Sequence, residues 1–247
     1  FTQLDMEMAF IHRARLFDLI ERMMAALFHE VLGVTIQIPF PQITYDEAIS
    51  RYGRDNPDTR YGLLLEDVSD ILRSSRFKPF ADVLQDRGLI KGFNAEGCAG
   101  MSRRELDDLS AQVGNLGAKG LTWIKVSADG WQSPILKHLE RRELNAISQR
   151  MKAKEGDLLL LMADKPHMLH GSLAFLRALM AERLGLLSKV PFAFSWVVDF
   201  PLLEFSEEEK RWNAVHHPFT APREEDIHLL SEDPGKVRAQ AYDLVLN

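Results

Sequence analysis

The chain has 247 residues, enough for one large domain or two modest ones with a real core, and its 46% hydrophobic and 27% charged residues are ordinary globular values. A formal charge of -6 argues against nonspecific coating of nucleic acid, which needs a basic surface, and leaves open a local basic patch for a structured RNA. The single cysteine, Cys98, cannot close an internal disulfide, so a reducing compartment is expected; no apolar run has the length of a membrane span, and the first residues are not a signal peptide.

FTQLDMEMAF (1 to 10) reads as a strand. Alternation puts Phe1, Gln3, Asp5 and Glu7 on one face and Thr2, Leu4, Met6 and Met8 on the other, and a solvated strand tolerates those acids as well as a functional one does. Residues 12 to 32 then read as an amphipathic helix carrying Phe17, Ile20, Met24, Leu27, Phe28 and Val31, with Gly33 to end it. Thr44 and Glu47 form a capping box that opens a short helix through Arg51, closed by Gly53. The loop GRDNPDTRYG that follows has turn composition and marks a first domain boundary.

From about 63 to 190, strands and helices alternate. LIKGF (89 to 93), LTWIKV (121 to 126) and DLLLLMA (157 to 163) read as strands. Ser102 with Glu105 opens a helix to about Val113, and Ser133 before Pro134 marks another helix start. A helix near 166 to 184 stacks Leu169, Leu173, Leu176, Met180 and Leu184 and stops at Gly185. Phe194, Trp196, Val198 and Phe200 alternate in a strand that Pro201 ends, EEEKRW reads as a solvated turn, and Tyr242, Leu244 and Leu246 alternate again.

Adjacent strand residues face opposite ways, so at most one of His216 and His217 looks into a common site. A metal reading of that pair lacks a third ligand at a recognisable spacing, and His167 with His170 is placed on a polar, solvated helix face. No Ser or Cys sits in a nucleophile elbow, and no P-loop or strand-anchored GxGxxG is present.

FTQLDMEM resembles the second half of the motif 2 hairpin of bacterial-type (bacterial or mitochondrial) aspartyl-tRNA synthetases. FSWVVDFPLLEF (194 to 205), HHPFTAP (216 to 222) and AYDLVLN (241 to 247) are similar to further segments of that family, in the family's order, as are ITYDEAISRYG (43 to 53) and NPDTR (56 to 60). Asn56 stands where family members commonly have lysine. The resemblance implies an α+β fold, part of the antiparallel, helix-flanked sheet of a class II synthetase interrupted by a GAD-like α/β module. The implied division is 1–62 and 191–247 for the catalytic parts and 63–190 for the insertion.

It also implies ATP-dependent activation of L-aspartate and transfer to the 3′ end of tRNA, with ATP as substrate, Mg²⁺ ligated from outside this chain, and a homodimeric enzyme of the cytoplasm or mitochondrial matrix. Asp5 is the implied anion for the substrate ammonium, His216 the implied donor to its side-chain carboxylate, and Gln3 an active-site residue without an assigned partner; no residue is separately assigned to catalysis. Glu7 and His217 match the motifs, with structural roles equally open. The arginine-bearing half of motif 2 and motif 3 are not in this sequence, so the chain is expected to be cut from a longer polypeptide and inactive alone. A different class of protein, a noncatalytic RNA-binding or regulatory protein on the same scaffold, is the alternative.

Overall fold

The computed structural model describes residues 2–188 and 191–247. The expected first strand does not form. Residues 2–8 pair with no backbone segment among the described residues, and Leu4, Met6 and Met8 are left exposed. Alternation can only choose a face; the ladder bonds that stabilise a strand need a neighbour. Phe1, assigned to the Gln3 face, lies outside the described residues.

Helix α1 (Arg13–Leu32) ends as its sequence directs, with Gly33 at φ 66° and its N–H returned to His29 O at 3.0 Å. Its buried stripe runs through Phe17, Ile20, Met24 and Phe28, while Leu27 and Val31 fall on the exposed margin. Strand β1 (Gln42–Thr44) leads into α2 (Tyr45–Tyr52). Thr44 Oγ1 accepts from Glu47 N at 3.2 Å, but the reciprocal half of the box is absent because the Glu47 carboxylate pairs with Arg51 at 2.5 Å. Gly53 caps α2 at φ 78°, and a Cβ there would lie 2.6 Å from His170 O, so both conformation and space require glycine.

The middle of the chain supplies β2 (Glu66–Asp67), α3 (Lys78–Gln85), β3 (Leu89–Ala95), α4 (Arg103–Gly114), β4 (Thr122–Ser127), β5 (Gly130–Gln132), α5 (Arg141–Arg150), β6 (Leu158–Asp164) and α6 (Pro166–Arg183). The strands form an antiparallel sheet in the order β2-β3-β6-β4-β5. Central β6 is apolar on both faces because helices cover both. Leu158, Leu160 and Met162 meet Leu106 and Leu109 of α4 and Leu169 and Leu173 of α6; Leu159 and Leu161 meet Phe80 of α3 and Ile147 of α5.

Two boundaries differ from expectation. Ser133 Oγ caps only a turn, accepting from Ile135 N at 3.3 Å, and a 3-10 turn over Leu136–His138 follows. The α-helix starts at Arg141, where Glu140 and Glu143 make both reciprocal capping bonds. At the end of α6, Leu184 lies past the helix on the surface.

The last part adds β7 (Phe194–Val198), β8 (Leu203–Ser206), β9 (Arg211–Ala214) and β10 (Tyr242–Leu246). In the sheet β1-β7-β10, β1 runs parallel to β7 and β10 antiparallel; β8 and β9 form a hairpin. Phe194, Trp196 and Val198 pack under α1, where Phe17 stacks on Trp196 with centroids 3.9 Å apart. Trp196 Nε1 donates to the buried Glu21 carboxylate at 2.8 Å, which satisfies both polar groups. Phe200 does not continue this face. Asp199 takes φ 59°, the chain rotates, and Phe200 joins Val197, Ala48 and Val245 on the opposite side.

Two apolar clusters use residues between 63 and 180, and three others use only residues from 17–52 and 192–245. The expected boundary at 190 falls outside the described residues. Among the described residues no helix is long and apolar enough to cross a membrane.

Candidate functional site

The motif segments of the last part converge around Asp199. Its carboxylate accepts from Arg13 Nη1 at 3.2 Å through one oxygen and lies 2.9 Å from Arg223 Nη1 through the other. Arg13 opens α1 and Arg223 closes HHPFTAPR, so one half-buried anion ties two distant segments. A non-glycine residue at positive φ stores strain of roughly 1–3 kcal/mol, tolerated best by Asp and Asn. Beside this knot lies a cavity of about 490 Å³ bordered by His12, Arg13, Arg223, Gln240 and Tyr242. Its two guanidiniums are both paired with Asp199, Arg223 also with Glu225, and Glu224 and Glu225 line the cavity as well, so its wall carries both signs of charge.

The loop from 216 to 222 is fixed from both ends. Val215 N–H donates to Leu202 O at 3.1 Å, Gln240 N–H to Ala221 O at 2.8 Å, and Arg223 N–H to Arg238 O at 2.8 Å. The exposed His216 ring stands edge-to-face with Phe200, centroids 4.9 Å apart, and its nitrogens make no hydrogen bond with the described residues. His217 does something different: its Nδ1 accepts from Phe219 N–H at 3.2 Å and its carbonyl from Thr220 N–H at 2.9 Å, so it braces the turn.

Gln3, Asp5 and Glu7 are exposed and make no hydrogen bond or ion pair with the described residues, so they are not joined to His216. The ladder that would place that row against the sheet is missing for the reason given above. Among the described residues no group of three or more His, Cys, Asp or Glu could hold a metal ion.

Sequence reasoning missed Asp199, Arg13 and Arg223. An Asp after a run of β-branched and aromatic residues and before Phe-Pro is the available signal, since such a residue can end a strand at positive φ. It also misplaced His170. The ring is half-buried against the α2 end of the chain, its Nε2 has no partner, and burial, aided by the Lys91 charge and opposed by Asp67, lowers its pKa to about 4. Helix α2 packs against α6 on that side and shuts Nε2 from solvent, so the face is only partly solvated. His167 is exposed as expected.

Residues 1–247 match the family model described as tRNA synthetases class II (D, K and N). Over 247 residues the chain is 53% identical to an aspartate–tRNA(Asp/Asn) ligase of Geotalea uraniireducens, 51% to one of Heliobacterium modesticaldum and 49% to one of Caldanaerobacter subterraneus subsp. tengcongensis. Each match covers 100% of this chain and 41–42% of the relative, so the chain spans about two-fifths of the length of those proteins.

Proposed function

The chain belongs to the class II tRNA synthetases of the D, K and N group, and from that membership we propose that it supplies part of the catalytic body of an aspartyl-tRNA synthetase. The observation that carries the reading is a family match along the whole chain that coincides with the fixed loop bearing His216. The polypeptide that contains it activates L-aspartate with ATP and transfers the aspartyl group to the 3′ end of tRNA, as a homodimer in the cytoplasm or mitochondrial matrix. The named relatives act on tRNA(Asp/Asn), and the same breadth is proposed for this protein.

Residues 1–62 and 191–247 are proposed as catalytic parts and 63–190 as a GAD-like insertion, consistent with apolar clusters that do not mix the two sets. Asp5 pairs with the substrate ammonium, Gln3 lies on the same face, and His216 donates to the side-chain carboxylate. Support comes from the family match over the strings that carry them and from the His216 loop, which is tethered at both ends and sets the imidazole edge-to-face with Phe200. An imidazole fixed before substrate arrives loses little freedom on binding. Attack of the aspartate carboxylate on the α-phosphate of ATP depends on positioning and charge neutralisation. ATP and Mg²⁺ are general to the class; the described residues do not assemble a Mg²⁺ site, and no step is assigned to the metal through this chain.

Aspartate-dependent exchange of pyrophosphate into ATP, by the natural gene product that contains residues 1–247, tests the activity. Exchange with aspartate and not with lysine or asparagine is expected. Absence of aspartate-dependent exchange, or equal exchange with lysine, overturns the reading.

A further inference from the structure

Two cations are buried where the middle of the chain meets α2, and neither has an ion-pair partner among the described residues. Lys91, on β3, is 3% exposed and donates to Ser50 O at 2.6 Å and to Ser50 Oγ at 3.2 Å. Arg177, on α6, is 2% exposed and donates to Leu63 O at 2.8 Å, Gly62 O at 3.1 Å and Tyr52 O at 3.3 Å, with its guanidinium over the rings of Tyr52 and Tyr61. Asp67, the cross-strand neighbour of Lys91, is occupied by Ser69 N–H at 2.8 Å. Burying unpaired charge is unfavourable, and these two are held by neutral acceptors, main-chain carbonyls joined by the Ser50 hydroxyl and two tyrosine rings, with the carbonyls of Ser50 and Tyr52 at the negative end of α2. Burial lowers the pKa of both groups.

The other face of α2 touches the site. Ala48 is fully buried with Phe200 and Val197, and the Tyr45 ring lies 5.3 Å from that of Phe200. Phe200 in turn meets His216 edge-to-face. Helix α2 therefore lies between the two cations and the ring that supports His216, and a packed helix of eight residues transmits displacement as a unit.

We propose that Lys91 and Arg177 are positioning residues for the aspartate site: by holding the C-terminal end of α2 they set the Tyr45–Phe200 contact and through it the orientation of His216. This rests on the reading of His216 as a substrate contact. It assigns to the 63–190 part a role in aligning the site from behind, by fixing the helix on which Phe200 rests.

The test follows the ring resonances of His216 by nuclear magnetic resonance in the histidine-labelled natural gene product that contains residues 1–247, assigned by their loss in His216→Asn. Lys91→Met and Arg177→Lys are each expected to shift those resonances and to raise amide exchange at Leu65, whose N–H donates to Arg51 O at 2.9 Å beside the junction. Ile147→Val, which weakens the far apolar cluster without touching α2, should leave His216 unmoved. If Lys91→Met does not fold, Arg177→Lys decides, since it keeps the buried charge and loses the guanidinium fork. Unmoved His216 resonances with faster Leu65 exchange overturn the proposal, as does an equal shift in Ile147→Val. Neither readout uses substrate, so failure to activate aspartate would sink the reading of the site and leave this result standing.

Discussion

Arg223 Nη1 lies 2.9 Å from Asp199 Oδ2, joining the end of the histidine loop to a residue held at φ 59°. That pair closes the loop onto the end of β7, and the same carboxylate receives Arg13 from the start of α1. The position carries two separable demands, a negative charge and a left-handed backbone.

Substitutions at Asp199 should separate them. Asp199→Asn keeps a residue that tolerates positive φ and removes the charge, and with both arginines partly exposed the loss is about 1 kcal/mol. Asp199→Ala adds roughly another 1 kcal/mol of backbone strain. Asp199→Gly should therefore be less harmful than Asp199→Ala in urea unfolding, and the reverse order would show that the backbone strain is not significant.

In the natural gene product that carries this chain, the proposed site predicts that Asp5→Asn and His216→Ala impair aspartate use for different electrical reasons. Asp5→Asn removes the anion proposed to meet the ammonium, a loss common to every amino acid offered. His216→Ala removes the donor proposed for the distal carboxylate, with an expected cost of about 1.5–3 kcal/mol or roughly tenfold to a hundredfold and a reduced preference for aspartate over asparagine. Adenylate formation with both amino acids, beside a melting curve, distinguishes them; an unchanged preference ratio in His216→Ala would remove that residue from the site.

Stability should fall in mild acid because of His170. Its pKa is about 4 in the folded chain against 6.5 for a free histidine, so between those values the unfolded chain binds the extra proton. The contribution is complete above about pH 6.5 and is lost as pH falls toward about 4. Water still reaches part of the ring, which limits the effect to on the order of 1–2 kcal/mol. His170→Leu should flatten that part of the stability profile, and an equally steep profile in the variant would assign the slope to other groups.

Trypsin should cut after Arg54 before it cuts after Arg60. Arg54 is exposed, whereas Arg60 is half-buried and bonds both oxygens of Asp58, at 2.7 Å for the shortest contact. Burial alone would raise the Asp58 pKa, but the Arg60 bonds outweigh it and leave the carboxyl below its usual range. If 63–190 is a module with its own core, a fragment starting at Asp55 should persist under conditions that digest 1–54. Uniform digestion through 66–180 would refute the division.

Local rules carried much of the chain. Periodicity and caps located α1, α2, α4 and α6, because a helix is stabilised by residues three and four apart and by its own ends. Short apolar runs located β3, β4 and β6 for a similar reason, and the motifs around Asp5, His216 and Tyr242 identified the family. What the sequence could not decide were matters of cover. Phe200 follows the alternation of β7 in sequence, yet Asp199 rotates it to the other face. FTQLDMEM alternates as a strand does, yet no described segment pairs with it. Lys91, His170 and Arg177 look like surface residues until α2 and the 62–63 segment close over them. Spacing along a chain specifies which side chains share a face; burial of a charge depends on which distant segment packs there, and that is settled only when the whole chain folds.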